Sequence, residues 1–304
     1  MGFNLTSLTD YVNQEKSGLI AKSVLGATTL DYIRTISGIK SSQSINILDG
    51  QDIVAQPGDC AFSPDGSTAI TQVFVAVEKV KFNESYCLQD LEEYFTQVFM
   101  KPGNPEDMGT PTEALFVESK ADNINSWLEK NIWQGELATS GGIFDGLLTY
   151  LAGAIDGNPS AATAITAANV IDLVDDMIAL QPEKLQLEDD NRLFVSPAVF
   201  RLYVQGLVKA NLYHYPSVVN GSAPTEMYVP GTNIKLTSTP GLTGSTAMVL
   251  SKEDNLVYGT DLLNEEEEFD LFYSRDNRDY RFISEFKAGT AVVFADEVVY
   301  FAIV

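Results

Sequence analysis

The chain has 304 residues, 45% hydrophobic and 20% charged, enough to bury one large core or two modest ones without disulfide or metal staples. Asp and Glu number 42 against 19 Lys and Arg, and the formal net charge of −23 excludes the basic footprint of a protein that grips nucleic acid through its phosphates. A single histidine, His214, excludes two-histidine metal motifs and routes any histidine triad through one residue.

Cys60 and Cys87 are too few for a disulfide framework and lack metal-ligand spacing, so they read as ordinary thiols in a reducing compartment. The opening MGFNLTSLTD has neither the basic nor the apolar region of a secretory signal, and no apolar run reaches the roughly 18 residues of a membrane helix. The expectation is a soluble protein made in a cytoplasm.

Residues 1–38 are polar and weakly periodic, with Gly18, Gly26 and Gly38 spaced through them, and read as an arm more than as part of a core. Strand character follows over 44–82. Ile45, Ile47 and Ile53 precede a turn-rich segment with Pro57, Gly58, Pro64 and Asp65-Gly66, and 69–82 (AITQVFVAVEKVKF) is dense in β-branched and aromatic residues. This predicts a long two-stranded hairpin, which is marginal alone in water and needs support from another subunit.

Two helices come next. In 87–100, Leu88, Leu91, Tyr94, Phe95 and Val98 recur at helical spacing before Lys101-Pro102. In the second, Thr110 caps, Pro111 suits the first helical position and Glu113 completes a capping box. Ala114, Val117, Ala121, Ile124 and Leu128 continue the stripe to Trp133 and Gly135, predicting a helix of roughly 34 Å. The alternative is two shorter helices with a break near Lys120.

Residues 141–164 read as loops with one short helix, and 166–180 as an amphipathic helix with Val170, Val174, Met177 and Ile178 inward. Arg192 to Val195 is a short strand running into Ser196-Pro197, a cap and first-turn proline, and a helix to about Asn211. Beyond Met227 the pattern is strand and turn: 233–239, 247–250, 255–259, 269–274, 280–286 and 291–303.

Candidate chemistry is sparse. The carboxylate runs Glu188-Asp189-Asp190 and Glu265 to Glu268 lack the glycine and alternating ligands of a calcium loop. His214 follows a helix end, where it can cap carbonyls. There is no G-x-S-x-G elbow, no phosphate loop and no G-x-G-x-x-G. No residue is assigned as catalytic, cofactor-binding or metal-ligating, no cofactor is expected, and the chain does not read as an enzyme. Charge is more informative: residues 131–183 hold seven acids and 253–274 eight, with no Lys or Arg in either, so these segments carry fifteen of the net negative charges.

The element order, together with Ile132-Trp133-Gln134-Gly135-Glu136, Phe144-Asp145-Gly146-Leu147-Leu148, Phe194-Val195-Ser196-Pro197, Val229-Pro230-Gly231-Thr232 and Asn255-Leu256-Val257-Tyr258-Gly259-Thr260-Asp261, resembles major capsid proteins of tailed double-stranded-DNA bacteriophages, similar to those of phages infecting Bacteroidetes. The resemblance spans about residues 40–300. It implies an α+β fold of the Hong-Kong-97 type, with an N-arm at 1–38 and a β-hairpin E-loop at 39–86. The P-domain, with its spine helix and sheet, would take 87–150 and 263–289, and the mixed α/β A-domain 151–262 and 290–304. It also implies hexamers and pentamers of this chain closing into an icosahedral shell, with portal, a separate scaffolding protein and a decoration or cement protein as partners. Packaged double-stranded DNA would be cargo without specific binding, no membrane would be involved, and the protein would be made in the bacterial host cytoplasm and reside in the virion. The acidic segments would keep the enclosed DNA from sticking. No crosslinking motif is transferred. The competing readings are another virion structural protein, of tail or decoration type, and an acidic hydrolase using an Asp/Glu pair.

Overall fold

The computed structural model describes residues 28–49, 55, 58, 69–87, 110–138, 142–157, 164–210, 225–261, 270–274, 276 and 279–302. The described residues form a mixed α/β architecture of three sheets and a few helices. The expected helix over 87–100, the capping box at Thr110, His214, Cys60 and the 265–268 glutamate run lie outside the described residues or their described side chains.

A short 3-10 turn, Thr28–Asp31, leads into β1 (Arg34–Ile36). The arm expected over 1–38 thus ends inside the body. Thr29 and Ile33 are buried, and β1 joins β10 (Leu256–Thr260) as a parallel edge strand. Few apolar residues are needed for this, because the segment is held largely by polar contacts.

β2 (Ser42–Asp49) and β3 (Ala69–Ala76) form the expected hairpin, in register from Ser42 opposite Ala76 to Asp49 opposite Ala69. The second arm is shorter than the sequence suggested. At Val77 the chain changes sheet, and β4 (Glu78–Cys87) pairs instead with β12 (Asp279–Val292) over ten positions. Val80 is buried and Phe82 half-buried, so they need a core to face, and the two-stranded ribbon has none.

That core lies under α1 (Thr110–Gln134), one continuous helix of 25 residues without a break at Lys120. Ile124, Leu128 and Ile132, spaced by four, turn one stripe onto the sheet, where Phe82, Phe282 and Phe286 meet it. Trp127 meets Phe82 edge-on at 5.2 Å between ring centroids. Each fully buried side chain of this stripe is worth about 1.5–3 kcal/mol. The helix ends where Gly135 and Gly146 touch backbone to backbone; a Cβ on Gly146 would lie 2.5 Å from the Gly135 nitrogen.

The second layer pairs α2 (Val170–Leu180) and α4 (Pro197–Lys209), linked through the single turn α3 (Glu183–Gln186) and β6 (Asn191–Val195). They cover a six-stranded sheet ordered β5-β13-β9-β6-β8-β7, where β5 is Ile155–Asp156, β7 Glu226–Tyr228, β8 Lys235–Ser238, β9 Met248–Lys252 and β13 Val299–Phe301. The Ser196 hydroxyl accepts from the Val199 N–H at the start of α4, as the sequence implied. α2 begins at Val170, four residues late, because the Asn169 side chain closes a turn on Thr166.

The other sheet runs β1-β10-β12-β11, with β11 at Asp270–Ser274 and β4 also on β12. Here the C-terminal reading changes. β12 continues to Val292 instead of stopping at Phe286, and the strand expected over 291–303 breaks at a 3-10 turn, Ala295–Glu297. Asn255 pins that break: its side chain donates to the Phe294 carbonyl at 2.8 Å and accepts from the Phe294 N–H at 2.6 Å.

Candidate functional site

The hairpin carries apolar residues on both faces, and among the described residues it has neighbours for only part of one. Across the ribbon, Ile45 opposes Val73 and Ile47 opposes Thr71 on the face whose base meets Ile39, Val75, Val257 and Ala291. The opposite face stacks Ser44 on Phe74, Asn46 on Gln72 and Leu48 on Ile70. Gln72 donates to Asn46 at 2.8 Å, while Leu48, Ile70 and Phe74 remain 71%, 70% and 62% exposed. These exposed apolar side chains lie on either side of the polar Asn46–Gln72 pair, on one face of the ribbon.

The ribbon is rooted on a flat seat. Gly259 and Gly289 are cross-strand partners in β10 and β12, and the end of β3 crosses above them. A Cβ on Gly289 would fall 1.9 Å from the Ala76 carbonyl oxygen, and one on Gly259 2.7 Å from Val75. Val77 N–H donates to the Ser41 carbonyl at 2.9 Å, closing the root.

Two buried polar clusters hold the segment that precedes the hairpin. In the first, the Glu129 carboxylate on α1 accepts from the Thr29 N–H at 3.1 Å, the Thr29 hydroxyl at 2.5 Å and the Gly241 N–H at 3.3 Å, and Trp133 donates to Thr29 at 2.8 Å. In the second, Arg192 on β6 is buried, pairs with Glu226 at 2.9 Å and Glu253 at 2.7 Å, donates to Thr237, and lies 4.1 Å from the Tyr32 ring centroid. Burial, with the Glu226 hydrogen bond adding to it, pushes the Tyr32 phenol up to about 12. Neither cluster was visible in the sequence, since Thr29–Glu129 and Arg192–Glu253 bring together residues 100 and 61 positions apart.

On the face of β4 and β12 turned away from α1, basic side chains gather. Lys79 and Lys81 share Glu285, Lys81 at 3.2 Å, and Lys287 reaches Asp261 at 2.6 Å and the Lys40 carbonyl at 3.0 Å. The Lys79 and Lys81 contacts hold the Glu285 carboxyl below the usual range.

The sequence assigned no catalytic, cofactor or metal residue. Of the carboxylate runs, Glu188 pairs with Lys252, which holds its carboxyl low, and Asp189 accepts from Asn233 at 2.9 Å. Glu188 is thus held in a surface ion pair and Asp189 in a surface hydrogen bond. On α2, Asp175 is pushed up by burial and by Asp172 and Asp176. Among the described residues no group of three or more His, Cys, Asp or Glu side chains is placed to hold a metal ion, and no helix is long and apolar enough to cross a membrane. An open cavity of about 490 Å³ beside α1 is lined by Thr28, Asn125, Ser126, Glu129, Lys130 and Thr243, and its one carboxylate is committed to the Thr29 contacts.

No family model and no curated protein matches the chain. Solved structures do. The satellite phage P4 procapsid including size determination (Sid) protein aligns with a TM-score of 0.60 and 10% identity over 94% of this chain and 90% of that one. The capsid of an empty GTA particle, computed with C5 symmetry, gives 0.61 and 10% over 91% and 89%, and the capsid of Myoviridae phage XM1 gives 0.55 and 12% over 89% of each. With identity this low the likeness lies in the path of the chain: the chain has the fold of phage capsid proteins.

Proposed function

We propose that this chain is a major capsid protein of the Hong-Kong-97 type, which self-assembles into hexamers and pentamers of an icosahedral shell around packaged double-stranded DNA. The observation that carries the reading is the hairpin: a ribbon with apolar residues on both faces, rooted on a glycine seat and without a covering element among the described residues of its own chain. Such a surface is stable in water when another copy covers it, and the likeness to capsid folds supplies the assembly in which copies do so.

In this assignment residues 1–38 are the N-arm and 39–86 the E-loop. Residues 87–150 and 263–289 form the P-domain around the spine helix α1, and 151–262 with 290–304 form the A-domain. The role is cohesion and not catalysis. Each contact is weak, and multivalency over the shell multiplies it. Portal, a separate scaffolding protein and a decoration or cement protein are the further partners. The acidic segments 131–183 and 253–274 line the DNA side and repel the cargo, so that it slides during packaging.

Electron microscopy of the purified full chain tests the reading. Shells, or rings of five and six, are the expected result; a monomer under every assembly condition overturns it. A density map of the shell with both acidic segments on its outer surface overturns the cargo-repelling role alone.

A further inference from the structure

We propose that residues 28–39 form a strap that opens as one unit, and that its polar anchors, Glu129 on α1 and Arg192 on β6, hold the root of the hairpin in place. The proposal is independent of what covers the hairpin, so it stands or falls apart from the assembly reading above.

The strap has little apolar hold of its own. From Thr28 to Lys40 only Thr29, Ile33 and Ile39 are buried, while Thr28, Asp31, Arg34 and Thr35 are exposed. Its strand β1 ends the sheet, and three parallel pairs, Arg34, Thr35 and Ile36 beside Val257, Tyr258 and Gly259, tie it to β10. What fixes its start is polar. Thr29 gives its N–H and its hydroxyl to Glu129, and its hydroxyl oxygen accepts from Trp133. Three positions on, the Tyr32 ring lies 4.1 Å from the Arg192 guanidinium carbon and its phenol bonds Glu226. Phe194, which shares a face of β6 with Arg192, packs on Trp133 at 5.1 Å between ring centroids. The two anchors therefore sit on one continuous surface, and the strap runs across it.

At its other end the strap feeds the ribbon through a fixed turn. Gly38 takes the left-handed φ of +88°, and the Ile39 N–H then donates to the Thr260 carbonyl at 3.1 Å, one residue beyond the last β1 pair on β10. The Ile39 side chain closes with Val75 and Val77 over the bare face of Gly259, in a small cluster separate from the two main cores. One strand, β10, thus carries both the strap and the root, and a strap lifted from Val257–Gly259 takes the Ile39 bond and packing with it. The main cores lose little in that event. Ile33 is the one strap side chain buried in the α1 core, with Leu30 and Tyr32 at its margin, and the core under α2 and α4 contains none. A segment with few buried apolar contacts and a charge-assisted polar hold is the kind that opens locally below the global unfolding transition.

Amide hydrogen exchange on the full chain, read by mass spectrometry with every variant in the same assembly state as wild type, tests this. Tyr32→Ala removes the ring over Arg192 and the Glu226 bond while leaving the Arg192 ion pairs in place. Exchange in the fragments holding Thr29, Ile39 and Val77 is expected to rise about tenfold or more, with α4 and β9 as in wild type. Gln181→Leu is the control. It breaks the 3.1 Å bond to Asn191, the neighbour of Arg192 on the opposite face of β6, and does not touch the strap, so the root exchanges as in wild type. Unchanged exchange at Ile39 and Val77 in Tyr32→Ala, the same rise there in Gln181→Leu, or a rise spread evenly over α4 and β9 overturns the proposal. Thr29→Val, which cuts the other anchor, opens the same fragments, and the two factors multiply in the double variant because both contacts close one opening. A Thr29→Val effect confined to the Thr29 fragment overturns the single unit. If Tyr32→Ala does not fold, Tyr32→Phe, which drops only the hydroxyl bond, replaces it with an expected rise of about threefold in the same fragments and the same overturning results.

Discussion

Gly259 and Gly289 face each other across the β10–β12 ladder, and the Ala76 carbonyl oxygen occupies the place a Cβ on Gly289 would take. The hairpin leaves the body at this crossing, so the absence of two side chains sets where the ribbon is rooted.

Substituting Gly289 forces backbone apart, whereas a Cβ on Gly259 meets side-chain carbons of Val75, Ile39 and Val77. Gly289→Ala lowers stability by about 1–3 kcal/mol or more, because the clash is with main chain and not with a flexible side-chain tip. Gly153→Ala, whose Cβ meets nothing nearer than Ala295 at 3.7 Å, is the matched control and stays near wild type. Urea titrations of both variants check this; equal midpoints would remove the crossing as the anchor.

The Glu129 cluster ties the entering segment to α1. Glu129→Leu leaves the Thr29 N–H and Gly241 N–H without their acceptor, costing about 1–3 kcal/mol for each donor stranded from water. Limited proteolysis near residue 28 is expected to speed up relative to cleavage within residues 197–209. A uniform loss of protection across the chain would show that the cluster serves the whole core and not this segment.

Arg192→Met removes the cation that two glutamates share. Breaking a buried pair from one side costs about 3–5 kcal/mol, and the partial exposure of Glu226 and Glu253 places the expected loss toward the lower end. Adding Glu226→Gln and Glu253→Gln to Arg192→Met recovers much of it in thermal melts. Melting of the triple variant below the single one would mean that packing against Tyr32, and not charge, dominates.

Burial, with Asp175 adding to it, raises the Tyr203 phenol to about 12 from the ordinary 10.0, and Tyr32 behaves alike. The folded chain therefore holds these protons more tightly than the unfolded chain. Their contribution is fully present below pH 10 and is lost between pH 10 and about 12. Unfolding midpoints should fall across that window, and less steeply for Tyr203→Phe. Parallel slopes for the two proteins would refute the assignment.

Deleting residues 56–67 shortens the hairpin without touching its root. The body is expected to keep its melting profile while shells disappear. Leu48→Ser with Ile70→Ser and Phe74→Ser should act in the same direction, since side chains exposed by 62–71% have little intrachain burial to lose. Normal shells from the deletion variant would end the E-loop assignment.

The sequence by itself determined the elements whose signals are local. Ala114, Val117, Ala121, Ile124 and Leu128 at three- and four-residue spacing announced α1, Ser196-Pro197 announced α4, and runs of β-branched and aromatic residues between turn signals announced the hairpin and the strands beyond Met227. Composition and motif spacing also removed most histidine, phosphate-loop and dinucleotide chemistry before any fold was known. Tertiary structure decided the rest, because the deciding contacts join positions far apart in the chain. The apolar run 69–82 gave no sign that Val77 divides it between two sheets; that follows from the need of Val80 and Phe82 for α1. Likewise Thr29 looked like part of a polar arm until Glu129 and Trp133, 100 and 104 residues away, closed around it. The basic strip belongs to the same class. Lys79, Lys81 and Lys287 are scattered in a chain with more than twice as many acids as bases, and the antiparallel register of β4 on β12 gathers them on one face.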